Sequence, residues 1–361
     1  MNDKVTLMKG NEALAMAMIR YGADGYFGYP ITPQSEVLEK LEEEMPWETT
    51  GMVVLQAESE VAAINMVYGG AMTGKAVCTS TSSPGFSLMQ EGVSYLAASE
   101  VPALLINVQR GGPGLGTIHA SQADYFQACK GGGHGDYHMI VLAPSSVQEM
   151  ADMVALGFDL AFKYRCVSMI LADGTIGQLM EKVVLPEQRP RRTEEEIRQQ
   201  CPWAVNGRKG MRPSNVVTSL ELDDDKMEEN NWRFQACYRE IEKNETRCEL
   251  IDVEDCDYLI TALGTTARIA MKTMELARAE GIKVGMFRPI TLWPFPEKQL
   301  REAAKNVKGI LCVELNAGQM VEDVKLAVEC KMPVEHYGRF GGNVPTPDEL
   351  LNVLKEKLIN K

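Results

Sequence analysis

Gly28-Tyr29-Pro30-Ile31-Thr32-Pro33 closes a short apolar run at 26–29 and leads into a helical pattern at 37–44. The two prolines fix φ and hold the residues before them extended, so the chain leaves the run through a stiff turn. A strand, a turn and then a helix make half of a strand–helix–strand unit. Outward from it the same alternation continues. Strands are expected at 52–56, 76–80, 103–108, 139–142 and 166–172. Helical spacing is found at 12–21, 60–72, 86–98 and 147–163. Such alternation predicts an α/β fold with a parallel sheet covered on both faces. Ser146-Val-Gln-Glu149 reads as a capping box opening the last of these helices.

The pattern breaks near residue 185. Residues 186–248 are polar, rich in proline and glycine, and include an acidic stretch at 221–229. They are expected to form an irregular surface linker or insertion, the acidic stretch being a solvated face. Alternation then resumes over 249–361, with strands expected at 258–262, 283–287, 309–313 and 334–337 and helices at 265–280, 296–304 and 318–329. Thr346-Pro-Asp-Glu349 joins a capping box to a proline in the first turn of a final helix. The expected organisation is therefore 1–185, a linker at 186–248, and a smaller α/β domain at 249–361.

The 361 residues are 45% hydrophobic and 24% charged, which excludes wholesale disorder. With 37 basic against 50 acidic residues the net charge is −13, so neither nucleic acid nor an anionic membrane is an expected partner. No run approaches the ~20 apolar residues of a membrane helix, and the opening residues lack the apolar region of a secretory leader. Nine cysteines without any CxxC suggest a reduced, cytoplasmic chain that binds no iron–sulfur cluster itself.

Several tempting motifs fail. Gly69 to Lys75 fits G-x-x-x-x-G-K, but Ala76 replaces the magnesium-binding hydroxyl, and the stretch ends a helix instead of opening one. His134 and His138 are separated by Gly135 and lack the glutamate of a zincin, so no metal site is expected there. Three places carry more. The turn 28–33 lies beyond the carboxyl end of a strand, where parallel sheets bind ligands, though a rigid connection explains it equally well. Glu60 opens a helix of small and apolar residues; it either complements the helix dipole, the plain reading of Glu58 as well, or is a buried acid facing a heterocyclic nitrogen. Arg110 ends a strand and precedes a glycine-rich loop, where it can clamp a carboxylate or form a surface ion pair.

Taken together, Y-P-I-T-P, then Glu60-Val-Ala-Ala63 with Gly69 behind it, then Arg110-Gly-Gly-Pro-Gly114, resemble the alpha chain of multi-subunit 2-oxoacid:ferredoxin oxidoreductases. On this resemblance 1–185 is a pyrimidine-binding domain of the thiamine-diphosphate-enzyme type. Ala262-Leu-Gly-Thr265, Arg288-Pro-Ile-Thr-Leu-Trp-Pro294 and Val313-Glu-Leu-Asn316 resemble the transketolase C-terminal-type domain. Met8-Lys-Gly-Asn-Glu-Ala13 and Phe27-Gly-Tyr-Pro-Ile-Thr-Pro-Gln34 look most like the 2-ketoisovalerate (3-methyl-2-oxobutanoate) enzyme. The 2-oxoglutarate enzyme is the nearest rival, and a non-catalytic scaffolding subunit is the rival of another class.

The resemblance implies that Glu60 bonds the aminopyrimidine of thiamine diphosphate and favours its imino tautomer, whose nitrogen deprotonates the thiazolium carbon. It implies that Thr32 and Arg110 hold the substrate carboxylate, and that Tyr29 and Pro30 lie beside the cofactor. The G-D-G…Asn pattern for magnesium and diphosphate has only partial matches, at Ala172-Asp-Gly174 and Gly341-Gly-Asn343. No metal ligand is therefore assigned to this chain. The diphosphate half is expected on a beta subunit and the 4Fe–4S clusters on other subunits of a hetero-oligomer. A gamma subunit and a ferredoxin-like subunit complete the expected partners, with coenzyme A and a 2-oxoacid as substrates.

Overall fold

The structure, a computed structural model, describes residues 5–208, 210 and 212–360. The residues at 1–4, read above for a leader, lie outside the described residues. The first part of the chain runs β1 (Val5–Lys9), α1 (Gly10–Tyr21), β2 (Gly25–Gly28), α2 (Ser35–Glu44), the short α3 (Pro46–Thr49), β3 (Val53–Gln56), α4 (Glu60–Met72) and β4 (Val77–Thr81). It continues with α5 (Ser83–Ala98), β5 (Ala103–Gln109), the short α6 (Tyr125–Cys129), β6 (Ile140–Leu142), α7 (Val147–Tyr164), β7 (Val167–Asp173), the short α8 (Gly174–Gln178) and β8 (Met180–Val184). The helices and strands expected from the alternation are present with shifted ends. For example, α5 opens at Ser83 because Pro84 needs no donor in a first turn.

β3, β2, β4, β5, β7 and β6 lie side by side in that order, all parallel. The chain steps from β2 out to β3 and back to β4, then on to β5. Right-handed crossovers therefore place α2 and α7 on one face and α4 and α5 on the other. The packing agrees: α1 lies against α2 and α7, and α4 against α5. β5 and β7 are buried along their whole length, as the covered centre of such a sheet requires. β1 and β8 form a separate antiparallel ribbon.

Residues 186–248 depart from the expectation of an irregular linker. They contain α9 (Glu194–Gln200), which carries a full capping box at Thr193 and Glu196, and the 21-residue α10 (Asp224–Asn244). The acidic stretch is the start of α10, capped by Asp223. Only Phe234, Tyr238 and Ile241 of α10 are buried, a stripe at helical spacing too narrow to stand out in a polar composition.

The rest runs β9 (Cys248–Ile251), β10 (Tyr258–Ala262), α11 (Gly264–Ala279), β11 (Val284–Pro289), β12 (Thr291–Trp293), α12 (Glu297–Ala303), β13 (Gly309–Glu314), α13 (Met320–Ala327), β14 (Val334–Gly338) and α14 (Pro347–Leu354). A second sheet has the order β14-β13-β10-β11-β9, parallel except for β9. β12 does not join it. It pairs antiparallel with β6 and so becomes the edge of the first sheet. The capping box at Thr346 and Glu349 is present, with Pro347 in the first turn. That at Ser146 is only half formed. Ser146 caps α7, but the Glu149 carboxylate turns to Ser145 and to Arg288 on β11, with Arg288 Nη2 2.7 Å from Glu149 Oε1. Pairing across the two sheets wins over the local motif.

The sheets are also joined through Asp173 at the end of β7. Its carboxylate accepts from Ile176 N at 3.1 Å, Thr265 N at 2.8 Å, Thr265 Oγ1 at 2.5 Å and Gln122 Nε2 at 3.2 Å. Gly264 stands at φ +53° directly over it, where a Cβ would strike Asp173 Oδ2. The Ala172-Asp-Gly174 stretch is therefore a junction between sheets. So is Ala262-Leu-Gly-Thr265, which supplies the other side of it.

Candidate active site

The carboxyl ends of β2, β3, β4 and β5 bring the sequence candidates to one edge of the first sheet. Glu60 is the first residue of α4, which Ser59 opens by accepting from Ala62 N. Glu60 is only 6% exposed, whereas Glu58, two residues earlier, is exposed. Among the described residues nothing donates a hydrogen bond to the Glu60 carboxylate. A buried carboxylate without a donor is costly, and this one is free to accept from a group outside the chain. Gly85, in the first turn of α5, gives it room: a Cβ there would overlap Glu60 Oε1 and Thr81 Oγ1.

Arg110 follows β5 and is 8% exposed. Its Nη1 donates to the Thr32 carbonyl at 2.9 Å, and its Nε is buried without a partner. Its backbone N donates to Ser83 Oγ at 3.0 Å. Ser83 lies two residues before Gly85, so Glu60 and Arg110 flank the same helix start. Ser82 Oγ and Asn107 Oδ1 beside it are also buried without partners.

The turn after β2 is held at several points. Gln34 Nε2 donates to the Tyr29 carbonyl at 3.3 Å, and Gln34 Oε1 accepts from Ser80 Oγ at 2.5 Å. Ser80 in turn meets the buried Tyr26 hydroxyl at 2.7 Å. The Pro33 carbonyl accepts from Asn11 Nδ2 and Gln178 Nε2. The turn thus presents an exposed Pro30 and Thr32 and a half-buried Tyr29. It is the Thr32 carbonyl that meets Arg110; its hydroxyl is left without a partner among the described residues. Tyr29, Pro30, Thr32, Glu60 and Arg110 are all placed by loops or helix starts at one sheet edge, and Thr32 and Arg110 are in direct contact.

Sequence reading missed Ser83, Asn107 and Asp124. Asp124 Oδ2 accepts from Ser83 Oγ at 2.6 Å and from Asn107 Nδ2 at 2.9 Å. Burial pushes the Asp124 carboxyl above its ordinary range, and the hydrogen bonds from Ser83 and Asn107 pull it back. Ser83-Pro84 is a recognisable helix start; nothing local marks Asp124, which lies 41 residues from Ser83. The glycine loop behind Arg110 folds on itself, with Thr117 N donating to the Gly111 carbonyl at 2.7 Å. Gly116 there stands at φ +59°, with no room for a Cβ against that carbonyl. Leu115 and Ile118 on this loop, Val61 beside Glu60, and Leu88 on α5 are exposed apolar residues.

The discarded motifs have other roles. Lys75 pairs with Glu194 at 3.0 Å in a helix-to-strand turn. His134 lies edge-on to Tyr95, and His138 stacks on Trp293 with centroids 4.5 Å apart. For thiamine diphosphate, the free Glu60 carboxylate and the Gly85 space fit the pyrimidine end. Among the described residues the tail end has no matching set. Asp173 is saturated by the junction, and Asn343 Nδ2 is turned to the Phe340 carbonyl of its own loop. A cavity of about 640 Å³ between α10 and the turn after β12 shares no lining residue with this site.

A family model described as pyruvate flavodoxin/ferredoxin oxidoreductase, thiamine diphosphate-binding, matches residues 16–245. One described as pyruvate:ferredoxin oxidoreductase core domain II matches residues 256–350. The chain is 47% identical over 351 residues to the ketoisovalerate oxidoreductase subunit VorB of Methanothermobacter marburgensis, covering 97% of each. It is 35% identical over 377 residues to the 2-oxoglutarate synthase subunit KorA of the same organism, covering 96% of this chain and 97% of KorA. It matches the solved 2-oxoglutarate:ferredoxin oxidoreductase of Magnetococcus marinus with a TM-score of 0.82 and 28% identity. That match covers 98% of this chain and 65% of the longer one. A split-gene transketolase shares the fold, with a TM-score of 0.60 at 13% identity, over 98% of each chain.

Proposed function

The chain belongs to the pyruvate flavodoxin/ferredoxin oxidoreductase family, and from that premise we propose that it is the alpha subunit of a ferredoxin-dependent 2-oxoacid oxidoreductase. The reaction is oxidative decarboxylation of 2-ketoisovalerate with coenzyme A, giving acyl-CoA, CO2 and reduced ferredoxin. Identity to a ketoisovalerate oxidoreductase subunit exceeds that to a 2-oxoglutarate synthase subunit, 47% against 35%, and supports the branched-chain substrate.

The observation that carries the reading is the buried, unpartnered Glu60 carboxylate over the Cβ-free face of Gly85. Thiamine diphosphate, when bound, supplies the electron sink for loss of CO2. Glu60 holds the proton shared with a pyrimidine ring nitrogen, and its burial keeps water from competing for that bond. Arg110, fixed at Nη1 by the Thr32 carbonyl, offers its remaining N–H groups to the substrate carboxylate. Tyr29 and Pro30 wall the site on the turn side, with the Thr32 hydroxyl free to meet the substrate.

The diphosphate end and its magnesium belong to a beta subunit, and the 4Fe–4S clusters to other subunits, among them a gamma subunit and a ferredoxin-like one. The exposed apolar residues Val61, Leu88, Leu115 and Ile118 beside the site suit a surface that such a partner covers. The nine cysteines are all unpaired, in keeping with a reducing cytoplasm, and no helix among the described residues is long and apolar enough to cross a membrane.

The test is acyl-CoA formation by the chain assembled with its partner subunits. Glu60→Gln is expected to lower turnover by about a hundredfold or more. Full activity in that variant would make this a binding or scaffolding subunit instead. A higher kcat/KM on 2-oxoglutarate than on 2-ketoisovalerate would reassign the substrate.

A further inference from the structure

Ser83 has a single hydroxyl proton and three neighbours that compete for its oxygen or its hydrogen. Arg110 N donates to it at 3.0 Å, the Arg110 carbonyl lies at 3.2 Å, and Asp124 Oδ2 lies at 2.6 Å. The short contact to a carboxylate takes the proton, because charge-assisted hydrogen bonds are the stronger ones. The oxygen lone pairs are thereby turned toward Arg110 N. Asn107, on the same strand as Gln109, donates to the same Asp124 oxygen, and Asp124 N donates back to Gln109 Oε1 at 3.0 Å. Asp124 therefore ties the end of β5 to the start of α5.

The segment that carries Asp124, a strap at 120–130, is in turn gripped by the loops after β10 and β13 and by α13, which flank the second sheet. Gln122 accepts from Leu315 N at 3.0 Å and donates to the Leu263 carbonyl at 2.8 Å. Gln319 accepts from Phe126 N and donates to the Ala123 carbonyl, both at 2.8 Å. The Tyr125 hydroxyl donates to the buried Asp323 at 2.5 Å. Residues on both sides of Asp124 are thus anchored to elements of the second sheet, while Asp124 itself faces the first.

We propose that Asp124 is the positioning residue for Arg110: through the Ser83 hydroxyl it sets where the arginine stands to receive the 2-oxoacid carboxylate, and the second sheet holds it in register. This rests on the reading of Arg110 as the carboxylate-binding group.

The experiment is steady-state kinetics of the assembled complex with 2-ketoisovalerate. Asp124→Ala is expected to raise KM about tenfold or more, with kcat changed by less than about threefold. The concentration of thiamine diphosphate needed for half activity stays as in the parent. Asp124→Asn keeps an acceptor for Ser83 and reverses most of the rise in KM. Ser83→Ala removes only the hydroxyl and is expected to reproduce the KM rise even if Asp124→Ala assembles poorly. The double variant is no worse than the poorer single one, because both act through one hydroxyl. An unchanged KM in Ser83→Ala, or a loss confined to kcat, overturns the proposal. Normal turnover of Glu60→Gln in the same complex is a separate failure, that of the cofactor reading.

Discussion

At the scale of single residues, the site depends on what is missing as much as on what is present. Among the described residues Glu60 has no donor, and Gly85 lacks the Cβ that would crowd it. Gly85→Ala places a methyl group against Glu60 Oε1 and Thr81 Oγ1, at the N-terminal turn of α5 where neither backbone can retreat freely. Overpacking of this kind costs about 1–3 kcal/mol. The expected outcome is a lower melting temperature together with loss of acyl-CoA formation well beyond what the stability change explains. Full activity with an unchanged melting temperature would show that the carboxylate has room to move. Glu58 illustrates why burial had to be seen: two glutamates two residues apart are indistinguishable in a string of letters, yet only one is enclosed.

Among elements, α10 docks against a titrating group. His138, in the loop before β6, stacks on Trp293 of β12 and meets Tyr238 of α10 edge-on, with centroids 5.4 Å apart. Burial holds its imidazole below the ordinary value of 6.5; Lys130 acts in the same direction and Asp136 opposes. The neutral ring is favoured in the folded state, so its contribution to stability is complete above about pH 6.5 and is lost as pH falls through the lower folded value. His138→Phe keeps the stacking and removes the proton. Its melting temperature should fall less than the parent's between about pH 7.5 and pH 5.5. An equal fall in both would assign the pH sensitivity elsewhere. The same cluster explains why the letters of 186–248 read as irregular: Tyr238, in the buried stripe of α10, meets His138 from the loop before β6 and Trp293 of β12, far away in sequence.

The whole molecule is one unit because the two sheets share polar side chains that neither satisfies alone. Asp173 serves Ile176 on its own side and Thr265 on the other, and Arg288 reaches from β11 to Glu149 on α7. Asp173→Ala leaves the Thr265 amide and hydroxyl and one amide hydrogen of Gln122 without their acceptor in a buried junction. Each unsatisfied donor costs about 1–3 kcal/mol. Scanning calorimetry is expected to show a marked drop in the melting temperature, with the single transition broadening or dividing as the sheets uncouple. A transition as sharp and as high as the parent's would mean that the remaining links, Arg288–Glu149 among them, hold the sheets together without Asp173. Because the strap at 120–130 is anchored in this junction, the same variant should also raise KM for the 2-oxoacid.

The sequence by itself determined the parallel α/β architecture, and it read Tyr29, Pro30, Thr32, Glu60 and Arg110 as lying at strand ends or helix starts. It could do so because strand–helix alternation is written in local periodicity, and because the ends of parallel strands necessarily gather at one edge. Only the tertiary structure decided that β12 leaves its own sheet for the other, that Ala172-Asp-Gly174 is a junction, and that Glu149 abandons its capping box. It also decided that Asp124 stands behind Arg110. Each of these is a choice between partners distant in the chain, made by burial and by competition for hydrogen bonds, and local sequence does not encode who else arrives in the same space.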